Sequence, residues 1–232
     1  NGNLCQGGIP LTCDDDDPCT VDLCVPSQGC THTPSDDEAC TGPGSPGGMA
    51  AWYRFEETSG EVLDSSGNGH HGEALGGVTR GAPGAIGSSV SFNGGDGRVQ
   101  VPAHPDLDFS NGATLEAWVW LATTSGVGSV VSRGTGNNDN CVLMNSSQGN
   151  MQTIFQAPPG TTNVTSASGE IPVETWTHVA VTNDGATLTL YFDGVENTTA
   201  AGGYMVALAS DLFIGRREQG VFPFQGRIDE VK

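Results

Sequence analysis

Positive charge is scarce in this chain. Lys and Arg together number 8 against 27 Asp and Glu, a formal net of −19 over 232 residues, and Lys232 is the one lysine. Affinity for nucleic acid rests on Lys and Arg neutralising phosphates, so that class of partner is excluded. Calcium or a basic protein surface is the natural counter-charge. Long apolar runs are lacking too: none approaches the roughly 18–20 residues that span a bilayer, and no membrane insertion is expected. The opening "NGNLCQGG" has neither Met nor an apolar h-region, which reads as a processed N-terminus. Familiar catalytic patterns are also missing. There is no G-x-S-x-G, no H-E-x-x-H and no P-loop. No Glu is followed two residues later by Asp, the spacing that would set a glycoside-cleaving carboxylate pair on one face of a strand. The expectation is a protein that is not an enzyme.

Glycine and cysteine are what the chain has in excess. Gly at 35 residues is about twice ordinary usage, which suits many tight turns rather than helices. Six of the seven cysteines, Cys5, Cys13, Cys19, Cys24, Cys30 and Cys40, fall in the first 40 residues. Six thiols in so short a stretch argue for disulfides, an oxidising compartment and an extracellular or cell-surface location. Spacing alone does not choose among their pairings. Cys141 stands apart, as a buried thiol or a link to another chain. Residues 41–48, "TGPGSPGG", have the composition of a linker. The chain therefore divides into a cysteine-rich knob (1–40), a linker (41–48) and a larger domain (49–232).

That larger domain reads as strand after strand. "SVSFNG" and "RVQVP" alternate with period two, placing Val90 with Phe92 and Val99 with Val101 on one face. "ATLEAWVWLA" sets Leu115, Ala117, Val119 and Leu121 on one side and Trp118 and Trp120 on the other. "WTHVAVTND" and "ATLTLYFDG" flank Asn183-Asp184-Gly185, a strong hairpin signal. No ten-residue stretch has a convincing helical period. Short strands split by Gly-rich turns mean an antiparallel sandwich or barrel.

The blocks "AWYRFEETSGEVLDSSGNGHHGEA", "SVSFNGGDGRVQVP", "TLEAWVWL", "WTHVAVTNDGATLTLYFDGV", "LFIGR" and "GRIDEVK" occur in that order. Together they resemble a laminin-G-like domain of the concanavalin A-like lectin/glucanase superfamily. The resemblance implies an all-β, two-sheet antiparallel jelly-roll sandwich, here behind a small disulfide-rich domain. Such domains usually run on past the last block, so a longer gene product or a trimmed subunit is expected beyond Lys232. The opening stretch "CDDDDPCTVDLCVPSQGCTHTP" resembles the CTDC repeat of slime-mould matrix proteins and large bacterial surface proteins.

Several side chains are candidates for chemistry. Calcium takes several oxygens at short range from a turn that folds around it. Carried over from the resemblance, Asp64, Asn68 and Asp229 would hold a domain calcium, with carbonyls near His70. The competing reading is that Asp64 and Asn68 shape a turn through Asx hydrogen bonds. "RIDEVK" is unusual in its own right, because Ile228 and Val231 are three apart and period two buries both only through a bulge. Asp14, Asp16 and Asp22 form a second calcium candidate, although an acidic run is most often a solvated face. His70, His71 and one carboxylate would make a zinc set. Trp118, Trp120 and Tyr204 are candidates for stacking on sugar rings, against burial in a two-sheet core. Asn145, Asn163 and Asn197 lie in N-x-S/T sequons. The expected function is adhesion or recognition: binding a glycan or a neighbouring extracellular protein, copies of itself included. The alternatives are a structural subunit of an extracellular filament, sheath or matrix, or an accessory carbohydrate-binding module of a larger enzyme.

Overall fold

The computed structural model describes residues 20–25, 29–34, 49–108, 112–135, 138–145, 148–157, 160–202, 209–218 and 220–232. The chain divides into two compact units, residues 1–50 with 66–68, and residues 51–65 with 69–232. In the first, β1 (Thr20–Val25) and β2 (Gly29–Pro34) make an antiparallel hairpin whose register sets Cys24 opposite Cys30 and Asp22 opposite His32. Cys5, Cys13, Cys19, Cys40, Asp14, Asp16 and the linker 41–48 lie outside the described residues.

The second unit is a sandwich of two seven-stranded antiparallel sheets, with no α-helix among the described residues. The first sheet runs β11 (Gly160–Thr165), β10 (Met151–Ala157), β9 (Asn138–Asn145), β8 (Gly128–Thr135), β15 (Leu212–Ile214), β6 (Arg98–Val101) and β3 (Glu73–Leu75). The second runs β14 (Val195–Ala201), β13 (Thr187–Phe192), β12 (Trp176–Asn183), β7 (Ala113–Leu121), β16 (Gln225–Asp229), β5 (Ser88–Asn93) and β4 (Val78–Pro83). Of the sandwich and barrel that the strand pattern allows, the structure is the sandwich, the jelly roll that the resemblance implies.

Period two places the core. On β7, Leu115, Ala117, Val119 and Leu121 are buried, while Trp118 and Trp120 are half-buried on the opposite face. In the other sheet Val99 and Val101 are fully buried, and the register runs from Val99 to Ile214 and from Ile214 to Val131. The Asn183-Asp184-Gly185 turn closes a hairpin in which Val179 pairs with Phe192 and Val181 with Leu190. Its mechanism is local. Asn183 Oδ1 accepts from Gly185 N at 2.9 Å, and Asp184 Oδ1 accepts from Ala186 N and Thr187 N at 2.8 and 2.7 Å. Those two donors hold the Asp184 carboxyl below its usual range.

The irregularity at "IDEV" also has a backbone cause. Glu230 adopts φ +50°, a left-handed conformation uncommon for a residue with a Cβ. It interrupts the alternation, so Ile228 and Val231 are both buried. Val231 then bridges to Tyr53, with N–H···O bonds of 3.0 and 2.8 Å.

Candidate ligand face and cation sites

The chain contains four tryptophans, all half-buried, and Trp118, Trp120 and Trp176 stand on the outer face of the second sheet. The register sets Trp176 opposite Trp120, and His178 opposite Trp118. Trp52 joins them through Lys232, whose Nζ lies 5.4 Å from the Trp52 ring and 2.8 Å from Glu116 Oε1. The Arg227 guanidinium stacks 4.0 Å over Trp120 and 5.8 Å from Trp176, and its Nη1 donates to Pro83 O at 2.8 Å. The His178 ring meets Trp118 edge-on at 5.4 Å. Such cation–π and edge contacts fix ring orientation without burying the rings. The result is a row of pre-oriented, partly exposed aromatic surfaces with charge at hand, the chemistry that meets a sugar's C–H face and hydroxyl rim.

Trp118 and Trp120 therefore belong to this outer face and not to the core. Tyr53, which also had an aromatic ring to offer, is a core residue 1% exposed, and its hydroxyl donates to His70 O at 2.7 Å. Burial pushes that hydroxyl far above the usual tyrosine range, with the Asp64 charge adding to the shift. Tyr204 lies outside the described residues. Sequence reasoning missed Trp52 and Arg227. Alternation was the available signal for both, since Trp52 adjoins buried Tyr53 and Arg227 adjoins buried Ile228.

The three proposed calcium ligands are separately engaged. Asp64, 6% exposed, accepts Trp52 N on Oδ1 at 2.9 Å and His70 N on Oδ2 at 3.0 Å. Asn68 Nδ2 donates to Met49 O and Ala50 O, both at 3.0 Å. Asp229 is fully buried and accepts Ile86 N on Oδ2 at 3.0 Å and Glu230 N on Oδ1 at 2.9 Å. Its carboxyl is pushed up to about 6, mainly by burial, with the Glu230 charge adding and the backbone donors opposing. Oxygens converge there. A Cβ placed on Gly84 would meet Ser88 O at 2.5 Å, Asp229 Oδ2 at 2.6 Å and Ile86 O at 2.7 Å. A desolvated carboxylate among carbonyl oxygens is the donor set a hard cation takes. The Ile86 and Ser88 carbonyls carry no side-chain signature, so sequence reasoning had no means to find them.

The histidines sort differently from the sequence expectation. His71 is exposed and its Nδ1 accepts Asp64 N at 2.9 Å, whereas His70 is buried with its ring 4.3 Å from that of His104. Neighbours along a non-helical chain tend to point opposite ways, so His70 and His71 do not share a site. Among the sequons, Asn163 is exposed on β11, and Asn197 is exposed as the extra residue of a bulge in β14. Asn145, Cys141, Cys24, Cys30 and Asp22 are described by backbone alone.

Comparison with known proteins agrees with this architecture. A family model described as the concanavalin A-like lectin/glucanases superfamily matches residues 93–232. Another, described as a Dictyostelium (slime mold) repeat, matches residues 12–34. Protein psiQ of Dictyostelium discoideum is 60% identical over 35 residues, which is 15% of this chain and only 4% of psiQ. The binding domain of Paraclostridial Mosquitocidal Protein 1 superposes with a TM-score of 0.63 at 17% identity, over 78% of this chain and 47% of that one. Domain 4 of AbnA, a GH43 extracellular arabinanase from Geobacillus stearothermophilus solved with arabinotriose, gives 0.60 at 23% identity, over 78% and 89%. The receptor binding domain of botulinum neurotoxin mosaic serotype C/D gives 0.61 at 13%, over 78% and 46%. The chain thus spans under half of the two toxin chains, and these likenesses concern the fold. The family match covers more than half of the sequence, and the chain belongs to the concanavalin A-like lectin/glucanases superfamily.

Proposed function

We propose that the protein is a non-catalytic extracellular recognition module that binds glycan on the outer face of its second sheet. The observation that carries this reading is the gathering of Trp118, Trp120 and Trp176 on that one face, with Trp52 joined to them through Lys232, each partly exposed. Partly exposed aromatic faces held in fixed orientation on one sheet are surfaces on which a sugar's C–H face can stack. The printed descriptions of the structural relatives support a binding role: one was solved with arabinotriose, and two are toxin binding domains. Calcium stabilises the module in this reading. Asp229 with the Ile86 and Ser88 carbonyls would hold the ion, which would supply the positive charge that the buried carboxylate lacks.

The test is a glycan array on the full chain, followed by calorimetry on any sugar that binds. Trp120→Ala and Trp118→Ala should each weaken binding at least about tenfold, as loss of a stacking platform does. An array with no positive sugar, or affinity unchanged in both variants, overturns the glycan reading. Binding of a surface protein that the same variants abolish would replace glycan with protein as the partner of the same face.

A further inference from the structure

We propose that His70, His104 and Asp106 form a three-ligand site for a zinc-class divalent cation. Each offers one ligand atom, and the three atoms lie within 4.8 Å of one another. His70 Nε2 is 3.5 Å from Asp106 Oδ2, and His104 Nδ1 is 3.3 Å from the same oxygen. These separations exceed the roughly 2.7–2.9 Å of a charge-assisted hydrogen bond. They match the spacing of two ligands around tetrahedral zinc, about 3.3 Å for bonds of about 2.0–2.1 Å.

The independent observation is His70 itself. Its side chain is 6% exposed and aimed into the cluster, yet its Nε2 has no hydrogen-bond partner. A buried polar nitrogen is almost always satisfied, and this one faces a carboxylate oxygen and a second imidazole. A cation between them satisfies all three.

The scaffold holds both halves in place. His70 N donates to Asp64 Oδ2 at 3.0 Å, and His70 O accepts from Tyr53 Oη at 2.7 Å. On the other side, His104 caps a 3-10 turn, Pro105–Leu107, whose proline sets the entry angle. The His104 carbonyl accepts from Leu107 N at 3.1 Å and Arg133 Nη2 at 3.4 Å, and Ala103 N donates to Asp211 Oδ1 at 2.8 Å. His104 Nδ1 already presents its lone pair inward, accepting a long 3.3 Å bond from Asp106 N that a cation would replace. Ligands pinned at the backbone need little rearrangement to bind.

Ligand chemistry selects the ion. Two imidazoles and one carboxylate suit zinc, whereas calcium takes oxygen. Three protein ligands leave a fourth position on the solvent side, where His104 and Asp106 are 48% and 38% exposed. Water or a partner's side chain would fill it. This site is separate from the tryptophan face and does not rest on the glycan reading.

The test uses the full chain without reductant. Zinc chloride titrated calorimetrically should bind, and His104→Ala and Asp106→Asn should each weaken it by at least about tenfold. Both positions are substantially exposed, so far-UV circular dichroism should be unchanged, which His70→Ala would not guarantee. Cobalt in place of zinc should give visible d–d absorption without thiolate charge transfer. Absence of zinc heat, equal binding in the double variant His104→Ala/Asp106→Asn, or a thiolate band marking the cysteines as ligands would each overturn the proposal.

Discussion

Asp229 and Asp106 are both aspartates beside a tight turn, and they are set in opposite chemistry. Asp229 is fully buried, with carbonyl oxygens converging around it and Glu230 next to it. Asp106 is 38% exposed and touches two imidazoles. The first environment desolvates a charge without neutralising it, and only a cation or a proton relieves that. The second supplies nitrogen donors and a rim open to water. The lesson is that the atoms around a carboxylate, and not the carboxylate, decide which cation fits.

The contrast can be broken most severely at Gly84. Gly84→Ala forces a Cβ among three oxygens, and we expect it to cost about 3 kcal/mol by overpacking. Thermal or urea unfolding would show this, together with loss of any calcium response. A cost under about 0.5 kcal/mol would mean that the loop yields and that the oxygens are not held.

Proton binding probes the same centre in metal-free buffer. The folded Asp229 titrates near 6, above its unfolded value of about 4. An acid raised on folding penalises the folded state once the unfolded chain ionises. The Asp229 contribution to stability is therefore most favourable below about pH 4, falls as pH rises towards 6, and then levels. The loss should be at most about 3 kcal/mol, and Asp229→Asn should flatten it. Urea titrations from pH 4 to 7 in EDTA, wild type against variant, measure that difference. Parallel curves would remove the buried-carboxylate argument.

Calcium and zinc should then act separately. Calcium at about 100 times its Kd should add about 2.7 kcal/mol, with EDTA reversing the rise in Tm. Asp229→Asn should abolish this response and leave zinc binding intact, while Asp106→Asn should do the reverse. A single variant that eliminates both would show one shared centre. The smallest expected effect belongs to His104→Ala without metal, within about 0.5 kcal/mol of wild type, as befits an exposed rim position.

How much of this was legible beforehand depended on the range of the interaction. Leu115, Ala117, Val119 and Leu121 could be assigned to the core because alternation reports the two faces of a strand within a few residues. Asn183-Asp184-Gly185 could be read because its side chains bond the adjacent backbone. The anomaly at "IDEV" was visible as a broken period, although its cause, Glu230 at φ +50°, was not. Trp118 and Trp120 shared a face in the sequence, but which sheet face turns to the core is decided by what packs opposite. Asp64 and Asn68 are engaged by backbone groups 6 to 19 positions away, and not by the two-residue Asx bonds of the turn-shaping alternative.

Local chemistry thus determined the strands, the hairpin and the all-β class, since each follows from a period or a turn that the chain carries within itself. Only the tertiary structure decided the sites. His70 and His104 are 34 positions apart, and the Ile86 and Ser88 carbonyls near Asp229 lie more than 140 residues before it. No sequence pattern records such approaches. They arise where two sheets and their loops close on one another, and backbone oxygens carry no side-chain identity to announce them.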